Sequence, residues 1–180
     1  MNPREFDPLH LDVAALAKAG ARLDGHWPMA ALARIAASAA AGAELTAAVQ
    51  WSARGESRAV RGEAPQVWLH LSATAELPLE CQRCLEPVVT ALEVERSFRF
   101  VHGEESAAAL DADSEDDVLA LTRSLDLREL LEDELLLALP IVPRHDVCPE
   151  PLAVAADVEL SDERPNPFAA LAALKRTDLN

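Results

Sequence analysis

Tyrosine is absent from this 180-residue chain, and aromatic residues make up only 4% of it. The core must rest on Leu, Val and Ile with a few Trp and Phe, which leaves few rings for stacking on a ligand. Half of the residues are hydrophobic, enough for a core, although many are alanine and bury little area. No run of about eighteen apolar residues occurs, so no membrane-crossing helix is expected. The opening Met1-Asn2-Pro3-Arg4-Glu5-Phe6-Asp7 lacks a basic flank and a continuous apolar stretch, which predicts no secretory signal. The three cysteines are an odd count, two of them in one C-x-x-C, which points to reduced thiols in a cytoplasm rather than a disulfide framework. Also missing are G-x-S-x-G, H-E-x-x-H, a phosphate loop and G-x-G-x-x-G. His10, His26, His70, His102 and His145 are scattered, and His70 falls on the polar side of its strand. With no nucleophile–base pattern legible, the chain is not expected to be an enzyme.

What is present is acid. The net charge is −15, unevenly placed. Residues 1–100 hold ten Lys and Arg against twelve Asp and Glu, whereas residues 101–180 hold six against nineteen. Phosphates are repelled by the second half, so nucleic acid can be met only by the first. That half carries Arg54, Arg58, Arg61, Arg83, Arg96 and Arg99, with Trp68 as a candidate ring for stacking on a base. The acidic half serves solubility, or attracts a basic protein partner.

Periodicity predicts an α+β fold. Residues 1–25 read as an extended lead-in with one short element near Val13–Lys18, and residues 28–41 as a helix opened by Pro28 and closed by Gly42. Apolar residues then alternate at Leu45, Ala47, Val49 and Trp51, with a turn at Gly55 and a short return strand at 57–61. Alternation resumes from Val67 to Leu77 and from Val88 to Val101. The expectation is an antiparallel sheet of about four to six strands packed by two main helices. Residues 102–117 read as an acidic loop, and a second helix runs from Asp126 to Pro140 along Leu127, Leu130, Leu131 and Leu135. Glu132, Asp133 and Glu134 read as its solvated face. The expected organisation is one domain over 1–150, then an extended tail over 151–180 with a docking helix at Phe168–Lys175.

The most specific local signal is Cys81-Gln82-Arg83-Cys84, placed where two strands should turn. Such a turn aims two thiolates at one ion, and zinc asks for four ligands. His145 and Cys148 supply the other two, so Cys81, Cys84, His145 and Cys148 form a candidate Cys₃His set for Zn²⁺. The alternatives are paired semi-buried thiols at a sheet edge, or a redox pair, although the latter needs a helix N-terminus that Pro87 and a strand replace.

The stretch Cys81-Gln82-Arg83-Cys84-Leu85-Glu86-Pro87 resembles the bacterial large ribosomal RNA subunit accumulation protein family, YceD. Three further stretches resemble it in the same order: Glu132-Asp133-Glu134 leading into Leu139-Pro140-Ile141-Val142-Pro143, His145-Asp146 with Cys148, and Pro165-Asn166-Pro167-Phe168-Ala169 running to Leu174-Lys175. The resemblance implies a non-catalytic role in synthesis, processing or stability of 23S ribosomal RNA. Its implied partners are ribosomal RNA, a pre-ribosomal particle, or a basic ribosomal or assembly protein, with no membrane. Some relatives carry further cysteines after the Leu-Pro segment, where this chain has only Cys148. Two other classes remain open: a protein-interaction adaptor using the acidic 102–117 segment and the C-terminal helix, and a thiol-based redox protein.

Overall fold

The computed structural model describes residues 6–149. In chain order these form α1 (Val13–Ala19), β1 (Arg22–Pro28), a 3₁₀ turn (Met29–Ala31), α2 (Ala33–Ala36), β2 (Ala48–Arg58), β3 (Gln66–Glu80), β4 (Pro87–Val101), α3 (Glu104–Asp113), β5 (Asp117–Ala120) and α4 (Leu127–Leu137). The fold is α+β, with one five-stranded sheet in the order β1-β2-β3-β4-β5. Three pairings are antiparallel, as the alternating runs imply, but β5 joins β4 in parallel. The sheet is therefore mixed. A parallel neighbour needs a crossover, and α3 supplies it.

Period-two alternation puts Val49, Trp51 and Ala53 of β2 on one face of the sheet, with alternate residues Leu69 to Leu79 of β3. Leu92, Val94, Phe98 and Phe100 of β4 share that face, and all of these belong to one buried cluster. Leu16 of α1, Leu32, Ile35 and the Leu127, Leu131 and Leu135 stripe of α4 cover it. Asp12 caps α1 by accepting from the Ala15 N–H at 2.9 Å, and Asp126 caps α4 by accepting from the N–H groups of Arg128 and Glu129. On the opposite face of the sheet Val118, beside Arg99, is buried and its N–H donates to Asp111 of α3, so α3 covers the β5 end of that face; no other helix among the described residues lies on it.

Several expectations fail for identifiable reasons. The helix expected over 28–41 shrinks to a 3₁₀ turn and the single turn of α2. Ladder pairing of Pro28 with Ala48 holds the chain extended to that point, and the alanine stripe offers little area to bury. Gly55 lies inside β2, not at a turn. A Cβ there would come within 2.5 Å of the Ala17 backbone nitrogen, so the missing side chain lets α1 lie directly on the strand. Residues 102–117 are not a loop: Glu104 and Glu105 start α3, where acids suit a helix N-terminus. Only Ala107 of α3 is buried, so its period left no apolar trace. The predicted tail and its helix over 151–180 lie outside the described residues.

The acidic triplet of α4 is not a solvated face. Glu132 and Glu134 are buried. Glu132 Oε1 accepts from the Arg34 N–H at 2.6 Å and the Ile35 N–H at 3.1 Å, at the start of α2, and Oε2 accepts from Arg34 Nε at 3.2 Å. Asp133 pairs with the same guanidinium. Burial pushes the Glu134 carboxyl above its ordinary value, and Arg96, 3.2 Å away, partly offsets this.

Candidate metal centre and open sheet face

The β3–β4 hairpin is closed by Cys81–Glu86. Cys81 N–H donates to the Glu86 carbonyl, and Leu85 N–H donates to the Cys81 carbonyl. These bonds fold the turn around both thiols. Leu85 takes φ +66°, the one left-handed non-glycine residue among those described. A side chain costs energy in that conformation, and Leu85 is 65% exposed, so it repays little by burial. Leu85→Gly is expected to raise stability by about 0.5–1 kcal/mol, read as a higher denaturant midpoint at unchanged slope. A lower midpoint would mean that the leucine side chain matters more than its backbone strain.

The loop after α4 returns to this hairpin, where the Pro143 carbonyl accepts from the Gln82 N–H at 2.9 Å. It brings His145 and Cys148 to the turn. One ligand atom from each of Cys81, Cys84, His145 and Cys148 lies within 4.8 Å of every other. Cys81 Sγ is 4.0 Å from Cys148 Sγ, and Cys84 Sγ is 3.4 Å from His145 Nδ1. A tetrahedral zinc site needs S···S near 3.8 Å and S···N near 3.5 Å, given bonds of about 2.3 and 2.0–2.1 Å. The imidazole is already turned towards such an ion. Its Nε2 lies 3.1 Å from the Pro87 carbonyl, which can only accept, so the proton sits there and the Nδ1 lone pair faces the thiols.

The electrostatics also suit a cation. Burial raises the Cys81 thiol, but the backbone N–H groups of Cys84, His145 and Arg83, with the His145 side chain, hold it down at about 5. The Cys84 thiol goes the other way, to about 11, through burial and the neighbouring Cys148 and Cys81, against the Glu86 N–H. With no ion, adjacent thiolates thus oppose one another. A divalent ion with three thiolates and one neutral imidazole carries a net single negative charge. Arg83 stands beside it: Nε donates to Cys148 Sγ at 2.9 Å, and Nη2 donates to the His145 carbonyl at 2.9 Å and the Asp146 carbonyl at 3.3 Å. Arg83, expected to meet RNA, is instead part of this cluster. All three cysteines are free thiols.

The other candidates scatter. Arg54, Arg58 and Arg99 lie on the face of the sheet opposite the core, Arg99 beside α3, and Arg61 is exposed in the β2–β3 turn. Arg96 points to the helix-covered face, where Asp117 at 2.9 Å and Glu134 hold it. Trp68 is only 4% exposed; its indole N–H donates to Gln66, and the Arg58 guanidinium sits 4.3 Å from its ring centre. That ring is covered, so it offers no stacking surface. Sequence reasoning missed Arg22 and His70. Arg22 alternates with Asp24 and His26 along β1, a short period-two signal hidden by Gly25. Gly25 itself makes room for the Trp51 ring, 2.6 Å from where its Cβ would stand. His70 is not simply exposed, because Nε2 meets Glu56 at 2.7 Å and Nδ1 meets Ser97 at 2.8 Å.

Compared with known families, residues 69–175 match the model of Large ribosomal RNA subunit accumulation protein YceD. The chain belongs to the YceD family. A curated YceD of Haemophilus influenzae, also described as a large ribosomal RNA subunit accumulation protein, is 37% identical over 106 residues, covering 56% of this chain and 61% of that protein. The alignment thus spans about three-fifths of that relative's length. No solved structure matches. The YceD match contains all four residues of the Cys₃His cluster, together with Arg83 and the Glu132-Asp133-Glu134 triplet, but not Arg22, Arg54 or Arg58. Among the described residues no helix is long and apolar enough to cross a membrane.

Proposed function

We propose that this chain is a non-catalytic cytoplasmic accessory protein in the synthesis, processing or stability of 23S ribosomal RNA, stapled by one structural Zn²⁺ and acting by binding RNA or a pre-ribosomal particle. The observation that carries the reading is the closed character of the Cys₃His cluster, lying inside the stretch that matches YceD. Four protein ligands fill a tetrahedral ion and leave no position for substrate, which is the pattern of a structural site. Cys81, Cys84, His145 and Cys148 would hold the ion, while Arg83 balances its charge and Pro87 orients the imidazole. RNA would meet Arg54 and Arg58, on the part of the sheet face opposite the core that is distant from the acidic α3, which packs beside Arg99. Crosslinking in cells tests this: large-subunit ribosomal RNA or its precursor should be recovered with the protein. Recovery of neither RNA nor pre-ribosomal particles would refute direct binding.

A second reading, an adaptor for a basic ribosomal or assembly protein, draws on a different feature. Leu85, Val89, Ile141 and Val147 are all more than 60% exposed and all belong to, or adjoin, the segments that form the cluster. Exposed apolar side chains gathered in this way commonly mark a protein contact. A partner retained after nuclease treatment and released by salt would favour it.

A further inference from the structure

β1 is an edge of the sheet, and its outer side is bare. Gly55 N–H donates to the Ala21 carbonyl at 3.0 Å, and Met29 N–H donates to the Ala47 carbonyl at 3.1 Å. These two bonds fix the ladder. By alternation Leu23, Gly25 and Trp27 bond to β2, and the N–H and C=O groups of Arg22, Asp24 and His26 point outward. No backbone partner meets those groups among the described residues. The other edge is guarded: β5 has four residues, and its Val118 N–H is taken by Asp111 of α3 at 2.9 Å. A bare edge of seven residues is a template for another strand.

We propose that β1 pairs antiparallel with β1 of a second copy of this chain, with Gly25 on the two-fold axis, so that two five-stranded sheets become one continuous sheet. The strand is its own complement. Pairing about Gly25 sets Asp24 opposite the partner's His26, Leu23 opposite the partner's Trp27 and Arg22 opposite the partner's Pro28. The outward backbone groups of Asp24 and His26 then exchange N–H···O bonds with those of the partner's His26 and Asp24. Arg22 N–H donates to the partner's Pro28 carbonyl, and the ladder ends there because proline has no N–H. On the face opposite the core the Asp24 carboxylate, held by Arg22 Nε at 2.9 Å, meets the partner's imidazole, which can donate to it in either protonation state. On the core side Leu23 and Trp27 are only partly buried in the single chain, so their pairing covers apolar surface. The Trp27 ring is already set by stacking on Trp51, with ring centres 4.6 Å apart. Gly25 places no side chain at the axis. Sliding the register by two residues would set Asp24 against Asp24 or His26 against His26, which selects the register centred on Gly25. Electrostatics favour this edge too. The acidic α3 stands at the opposite end of the sheet, and β1 carries one arginine against one aspartate, so two copies meet here with little local repulsion.

Sedimentation equilibrium of the full chain, purified without chelator, tests the pairing. At about 100 µM in about 150 mM salt the mass should be that of two 19.4 kDa chains, falling towards one on dilution. Asp24→Lys sets a lysine opposite each His26 and should weaken the dimer about tenfold or more, because the two-fold axis applies the change twice. Adding His26→Asp to that variant returns opposite charges to both places and should restore the wild-type mass. Both side chains are exposed, and thermal midpoints near wild type show that the variants are folded. Amide exchange on the wild type needs no variant: the Asp24 and His26 N–H groups should exchange slowly at that concentration and fast on about hundredfold dilution. A wild type that stays monomeric at about 100 µM overturns the inference and leaves the edge to a strand of another protein. So does a dimer that ignores Asp24→Lys, a folded double variant that stays monomeric, or fast exchange at Asp24 and His26 within a dimer.

Discussion

Cys84→Ser is expected to leave purification without zinc and to unfold roughly 10 °C below a wild type that carries one zinc per chain. The magnitude follows from what the ion joins. Cys81 and Cys148 are 67 residues apart in sequence, and a cross-link closing that loop is worth about 4 kcal/mol in chain entropy. Little else fastens the 140–149 segment: it contains no helix or strand, and Ile141 and Val147 face solvent. Its remaining ties are the Gln82–Pro143 bond, the His145–Pro87 bond, and the Cys148 sulfur and two carbonyls held by Arg83, hydrogen bonds worth about 1 kcal/mol each. Serine is close in size to cysteine, so the change tests ligation rather than packing. A strong chelator should lower the wild-type midpoint and leave Cys84→Ser unmoved. Equal midpoints for the two proteins, with or without chelator, would show that the cluster is only a group of thiols.

Glu132→Ala is expected to cost about 3 kcal/mol, whereas Asp133→Ala should stay within about 0.5 kcal/mol. The two residues are adjacent and both engage Arg34, but their surroundings differ. Glu132 is 9% exposed and satisfies two backbone N–H groups of α2 besides the guanidinium. Its removal leaves the buried Ile35 N–H and the part-buried Arg34 N–H without their acceptor. Asp133 makes a half-exposed ion pair of the kind that contributes little. Denaturant unfolding of the two variants separates the cases. Equal losses would mean that Glu132 acts only as a surface charge.

The sequence made the centre of the sheet legible because β3 and β4 bury one face and expose the other, which writes a clear period of two. The same logic placed the turn at Cys81–Cys84, and the pairing of that turn with His145 and Cys148 followed from ligand arithmetic. β1 was not legible: seven residues interrupted by a glycine give a weak period, and the glycine is there for the Trp51 ring. α3 gives no helical signal because a helix lying over a sheet edge with one buried alanine leaves no apolar stripe. Glu132 and Glu134 misled for a different reason. Acids on a helix normally mark its wet side, and only the fold reveals that Arg34 and Arg96 reach them from α2 and β4. Arg83 and Trp68 show the same limit from the cationic side, since their partners come from loop carbonyls and from an arginine ten residues upstream of Trp68.

X-ray absorption at the zinc edge, on protein purified without chelator, tests the centre most directly. One zinc per chain with three sulfur neighbours near 2.3 Å and one nitrogen near 2.0–2.1 Å is the expected result. A fully folded, metal-free protein, or a zinc bound mainly by oxygen, would contradict the account.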